Sequence, residues 1–274
     1  MTEGKKKRKK SPWWYKVGIL VFGAVFCVSA FMAGRDYLAA KKEADAFDSL
    51  SKLAADYAEE KAPADLTESA GETTDQEKAA EWAELLKEAA GYAALKNENP
   101  DYVGWIRIPD TRIDYPVVDR ESDPEYYLHR AFDGSRSFGG TPFLGEASGV
   151  DTKCLIIYGH NMKNLSMFGS LKKYKTEDFY KDHQFFTIYT SEYAYRYQIF
   201  AYYDVPETDE VYTVGFAPDE TFQKFIDKMK QKSYDDTGVN VTKDDHIMTL
   251  STCSTTGKRF VVHAVRIGEH ALEK

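Results

Sequence analysis

The sequence predicts a mainly-β domain, a closed or partly closed antiparallel barrel, carried behind helices and a single membrane-spanning segment at the N-terminus. Two observations carry that expectation. After Pro100 the chain breaks into short runs rich in β-branched and aromatic residues, separated by turn residues, the pattern of a barrel rather than of alternating strand and helix. Before it, residues 17–33 read VGILVFGAVFCVSAFMA without one charge, just long enough for a helix to cross a bilayer.

The segments follow in order. Lys5, Lys6, Lys7, Arg8, Lys9, Lys10 and Lys16 crowd the N-terminal side of the apolar run, which under the positive-inside bias keeps residues 1–16 as a cytoplasmic tail. Trp13, Trp14 and Tyr15 stand where aromatic rings prefer the headgroup layer. A single pass with everything after Gly34 outside the cell membrane is the expected topology, with residues 17–33 meeting membrane lipid. The competing reading is a cleaved signal peptide, for which Val28-Ser29-Ala30 is a tolerable site, although the apolar run exceeds the usual signal core.

The whole chain carries a net charge of -8. Its first sixteen residues hold seven basic groups against Glu3, so the remainder holds about -14 by subtraction. Such an acidic exterior gives no pull on nucleic acid, and none is expected as a partner.

Residues 34–97 read as helical stalk and linker. Phe47, Leu50, Leu53 and Tyr57 recur at helical spacing between Arg35 and Tyr57, and Lys61 to Asp75 has the composition of a linker. Thr74 with Glu77 forms a capping box ahead of Trp82, Leu85, Leu86, Ala89 and Tyr92 on one stripe. Residues 98–274 are then a single β-rich domain. Its expected strands run 102–108, 113–118, 141–144, 154–158, 185–190, 193–205, 247–253 and 259–267, with helical interruptions at 125–129, 167–174 and 219–231.

Of three cysteines, Cys27 lies in the apolar span, Cys154 in an apolar strand, and Cys253 at the end of Thr249-Leu250-Ser251-Thr252-Cys253. A Cys154–Cys253 disulfide is conceivable, yet a buried free thiol at Cys154 is ordinary. If the strands ending at Cys253 and starting at Arg259 pair as a hairpin, a thiol and a guanidinium share one site. A thiolate attacking a peptide carbonyl builds charge on oxygen, and a guanidinium is suited to stabilise it. Taken alone, the pair is better read as a buried thiol beside a surface ion pair.

Among six histidines, His160 alone closes an apolar strand and opens a polar loop, the position suited to a proton carrier. His129, His183, His246, His263 and His270 read as structural or solvated. No close His/Cys/Asp spacing of a zinc or iron site occurs, so no metal or other cofactor is expected.

Three separated motifs resemble those of class B sortases, cysteine transpeptidases of Gram-positive bacteria. TLSTC with Lys258-Arg259-Phe260-Val261-Val262 is similar to the active-site strand pair. Ile156-Ile157-Tyr158-Gly159-His160-Asn161-Met162 with Met167-Phe168 is similar to the histidine motif, and Val103-Gly104-Trp105-Ile106 with Ile113-Asp114-Tyr115-Pro116-Val117-Val118 to the opening strands. The resemblance spans residues 99–267 and implies a closed eight-stranded barrel with a helix between strands six and seven. It implies Cys253 as nucleophile, His160 as general acid/base and Arg259 as the oxyanion or substrate-positioning residue, with Ser251, Thr252, Leu128 and Tyr212 lining the substrate groove. The departures are a short Cys253-to-Arg259 interval and Gly145-Glu146-Ala147, where relatives often show an acidic-aromatic-basic run.

The implied partners are surface proteins or pilins with a C-terminal sorting motif, cut after threonine, and an amine acceptor from a peptidoglycan cross-bridge or a pilin lysine. A monomer is the default. A cysteine protease cutting the same bond and a non-catalytic surface scaffold are the rival readings.

Overall fold

The computed structural model describes residues 13–61, 85, 88, 89 and 91–272. By contact the chain divides into residues 1–44 and 45–274. In the first unit helix α1, which runs Trp13–Lys61 as a whole, is exposed from Trp13 to Leu38. It is long and apolar enough to cross a membrane. The apolar run and the expected stalk helix are thus one element: no proline interrupts them, and the Ala-, Lys- and Glu-rich stretch after Gly34 continues a helix well.

The second unit begins at Asp45 and includes the end of α1. Phe47, Ala54 and Ala58 are buried there, and Phe47 meets the Tyr115 ring edge-on at 5.1 Å. Part of the segment expected to be stalk therefore packs as part of the domain. The Thr74–Glu77 capping box lies outside the described residues. The end of the helix that it would open is described: Tyr92 stacks on Trp105 at 4.6 Å, and Glu88 accepts from Tyr189 Oη at 2.7 Å and pairs with Arg107.

Eight strands follow: β1 Tyr102–Arg107, β2 Asp114–Val118, β3 Phe143–Leu144, β4 Cys154–Tyr158, β5 Phe185–Thr190, β6 Tyr193–Pro206, β7 Ile247–Cys253 and β8 Lys258–Ala271. They close into a barrel in the order β1-β2-β3-β4-β7-β8-β6-β5. Each expected strand is present. The pairing differs from a wholly antiparallel barrel, since β2 with β3 and β4 with β7 run parallel. Both parallel pairs are bridged by long connections, which is the only way two parallel neighbours can be joined.

Alternation along the strands sorts side chains into two cores. Leu155 and Ile157 of β4, Met248 and Leu250 of β7, and Phe260, Val262 and Ala264 of β8 fill the barrel. Cys154 and Ile156, Ile247, and Val261 and Val265 face outward. Helix α2, Glu177–Asp182, is short; α3, Glu220–Lys232, lies between β6 and β7 in sequence. Phe222, Phe225, Ile226 and Met229 form the buried stripe of α3 and cover that outward layer. Asp219 caps α3 by accepting from the Thr221 and Phe222 amides. The two shorter expected helices are 3-10 turns, Tyr126–His129 and Phe168–Lys175, neither with a side-chain cap to hold a longer α-helix.

Candidate active site

The β7–β8 hairpin places Cys253 opposite Arg259 in register. Residues paired across a ladder share a face, and for these two it is the outward face already occupied by Ile247, Val261 and Val265. Cys253 is exposed and unbridged, whereas Cys154 is buried and also free, which disposes of a disulfide between them. Burial pushes the Cys154 thiol up to about 12. It is a core hydrophobe rather than a reactive group.

The parallel partnership of β4 with β7 brings the histidine to the same rim. Tyr158 is aligned with Ser251, so His160, two residues beyond Tyr158, leaves the sheet at the level where Cys253 leaves it, two residues beyond Ser251. The junction is stitched by three bonds. Gly159 N donates to Ser251 O at 3.1 Å, Thr252 Oγ1 donates to Gly159 O at 2.7 Å, and Asn161 Nδ2 donates to Cys253 O at 2.6 Å. Gly159 is required here because a β-carbon would come within 2.7 Å of the Phe168 ring.

His160 is half-buried, and its Nε2 lies 2.8 Å from Leu128 O. A carbonyl only accepts, so Nε2 carries the proton in this bond. The His129 ring stacks on that of His160, with centroids 5.4 Å apart and planes 24° apart.

Arg259 is half-buried and forms an ion pair with Glu207, Nη2 to Oε2 3.1 Å. Beside it Tyr158 and Tyr212 stack at 5.9 Å. Burial raises both phenols, Tyr158 to about 12, against the lowering influence of the Arg259 charge. Both are therefore neutral hydrogen-bonding groups at physiological pH.

The structure thus brings Cys253, Arg259 and Tyr212 to one rim, with His160 and Leu128 joined to it through the Gly159–Asn161 stitching. Ser251 and Thr252 differ from expectation: both are buried, with Ser251 Oγ 3.0 Å from Tyr212 Oη and the Thr252 hydroxyl committed to Gly159 O. Their side chains form the floor beneath the rim and not an open groove wall. His263, expected to be structural, is fully buried between Thr249 Oγ1 at 2.9 Å and Tyr203 Oη at 3.1 Å. Sequence reasoning missed Glu207 and read His129 as structural or solvated; His129 is exposed, and its stacking on His160, like the Glu207–Arg259 pair, is a contact between distant segments for which no local pattern exists.

The sortase domain family matches residues 106–267. Sortase B of Listeria monocytogenes serovar 1/2a is 39% identical over 164 residues, which are 59% of this chain and 66% of that protein, just under two thirds of its length. Among solved structures, sortase B of Clostridium perfringens superposes with a TM-score of 0.60 at 33% identity, covering 64% of this chain and 98% of that one. A Staphylococcus aureus sortase B–substrate complex does so at 0.62 and 30%, covering 70% and 97%. With the family match extending over more than half its length and an eight-stranded barrel like that of sortase B structures, the chain belongs to the sortase family of cysteine transpeptidases.

Proposed function

We propose that this chain is a membrane-anchored sortase of the B type, with Cys253 as nucleophile, His160 as general acid/base and Arg259 as the stabiliser of the carbonyl oxygen. The observation that supports it best is the register of three strand ends: Cys253 closing β7, Arg259 at the second residue of β8 and paired with it, and His160 two residues past Tyr158 of β4, which pairs with Ser251. Cys253 thiolate attacks the carbonyl carbon of a threonine in a sorting motif, and the tetrahedral oxyanion is held by Arg259. The carbon–nitrogen bond breaks as protonated His160 gives its proton to the departing amine. A thioester to Cys253 is left.

A primary amine then loses a proton to His160, attacks the thioester and releases the thiolate, forming a new amide. The acceptor is a peptidoglycan cross-bridge or a pilin lysine, and the donor a surface protein or pilin with a C-terminal sorting motif. The similar S. aureus sortase B has been solved as a complex with a substrate, which supports a substrate-binding role for this fold. Leu128 and Tyr212, half-buried at the rim, line the donor groove, while Ser251 acts through its bond to the Tyr212 hydroxyl. Residues 17–33 anchor the chain with 1–16 in the cytoplasm, 34–97 leading outward, and 98–274 acting at the outer surface. Tethering at the surface where anchored donors arrive raises their effective concentration.

The test is incubation of the protein with a threonine-containing pentapeptide library and triglycine, read by mass spectrometry. The expected products are an acyl adduct on Cys253 and a triglycine-ligated peptide, both absent in Cys253→Ala. Hydrolysis without ligation would favour a cysteine protease. Full processing by Cys253→Ala would end the assignment of the nucleophile.

A further inference from the structure

His160 is held from one side by two successive residues. Leu128 O accepts from Nε2 at 2.8 Å, and His129 stacks its ring on the imidazole at 5.4 Å. An imidazole turns about only two side-chain torsions. The hydrogen bond holds one ring atom and the stacking of the exposed His129 ring bears on the ring plane, so the two together restrict the orientation of the imidazole.

Such a clamp holds only if its own backbone is fixed, and residues 125–129 are tied from several directions. Leu128 N donates to Glu125 O at 3.0 Å, Ser137 N to His129 O at 3.1 Å, and Thr141 N to Tyr127 O at 3.1 Å. The Tyr127 hydroxyl donates to Asp101 at 2.9 Å and accepts from Asn99 at 2.9 Å. Gly140, at φ +64°, lets the Tyr127 and Leu128 carbonyls approach so closely that a β-carbon would stand 2.5 Å from Leu128 O. The 3-10 turn is therefore a rigid mount between the barrel and the histidine loop.

We infer that His129 is a positioning residue for the sortase reaction: its ring locks His160 in the orientation, and the Nε2–H form, from which Nδ1 exchanges protons with the leaving and incoming amines. The inference rests on the reading of His160 as the acid/base. His129 works through stacking and does not itself carry the proton, so a flat hydrocarbon ring should replace it.

The test compares wild type, His129→Ala, His129→Phe and His160→Ala as full chains in detergent micelles. It uses kcat and KM for a ligated library peptide with triglycine, and 15N NMR of the labelled imidazoles. For His129→Ala the expectation is a fall in kcat of about tenfold or more with KM within about twofold, since a misplaced reacting group loses rate more than affinity. The His160 15N pattern should move from the Nε2–H form toward a tautomer mixture. His129→Phe should keep kcat within about threefold and retain the wild-type pattern, which also guards against a variant that merely unfolds.

Wild-type kcat and an unchanged 15N pattern in His129→Ala would overturn the inference, as would a loss in His129→Phe as deep as in His129→Ala. If His160→Ala itself kept full activity, the acid/base reading would fail first. An inactive His160→Ala beside a wild-type-like His129→Ala would sink the clamp alone.

Discussion

Arg259 makes two demands on its side chain at once. In the proposed mechanism it has to reach the developing oxyanion, and it is paired with Glu207 at 3.1 Å. A guanidinium can keep one donor on the carboxylate while another faces the substrate, because its donors are spread over a planar fork; an ammonium is a point charge and cannot. Arg259→Lys should therefore lower kcat by about 10²- to 10³-fold, the range for removing an oxyanion donor, with little effect on melting temperature. An activity loss below about threefold would show that charge alone suffices. The thiol, imidazole and guanidinium proposed for the site were singled out by residue type, but their roles came only from the resemblance of three motifs, since each group taken alone is equally at home in a structural setting. Glu207 and His129 were not singled out, since a carboxylate and a polar-flanked histidine look the same in solvent as beside a catalytic group.

At the scale of elements, the β7–β8 pair buries a histidine of its own. His263 lies in β8 between Thr249 and Tyr203, and burial, helped by the charge of Lys232, lowers its pKa from 6.5 to about 3. An unfolded chain takes up this proton below about pH 6.5 while the folded chain refuses it until near pH 3. The unfolded state then binds more protons as pH falls, so stability drops over that interval. The melting temperature of the wild type should fall more steeply between pH 6.5 and 4 than that of His263→Gln, which cannot titrate. Parallel profiles would exclude His263 as the source of the acid sensitivity.

Strand positions were legible because β-branched and aromatic runs bounded by turns leave few alternatives. The direction of β3 against β2 and of β4 against β7 was not: parallel pairing depends on where the long connections land, and no residue within a short strand encodes that.

For the whole molecule, the boundary of the folded unit lies at Asp45 and not near residue 97. A truncation beginning at Asp45 should remain soluble and unfold cooperatively, whereas one beginning at Asn99 should melt roughly 10 °C lower or precipitate. Burying one large apolar side chain contributes about 1.5–3 kcal/mol, and each kcal/mol moves the melting temperature of a domain this size by about 2–4 °C. The shorter truncation discards Phe47, Ala54, Ala58, Ala89, Tyr92 and Leu95 together. Equal melting temperatures would show that these contacts add nothing to the fold.

The amino-acid sequence by itself determined the apolar span, the number and place of the strands, the helix between the sixth and seventh, and the three chemical groups proposed for the site, because each is set by local composition or spacing. Only the tertiary structure decided that β4 lies parallel to β7, that this pairing delivers His160 to the level of Cys253, that Ser251 and Thr252 sit beneath the rim, and that residues 45–61 belong to the domain. Those outcomes depend on which distant segments exclude water from one another, and contacts of that kind leave no periodicity in the chain.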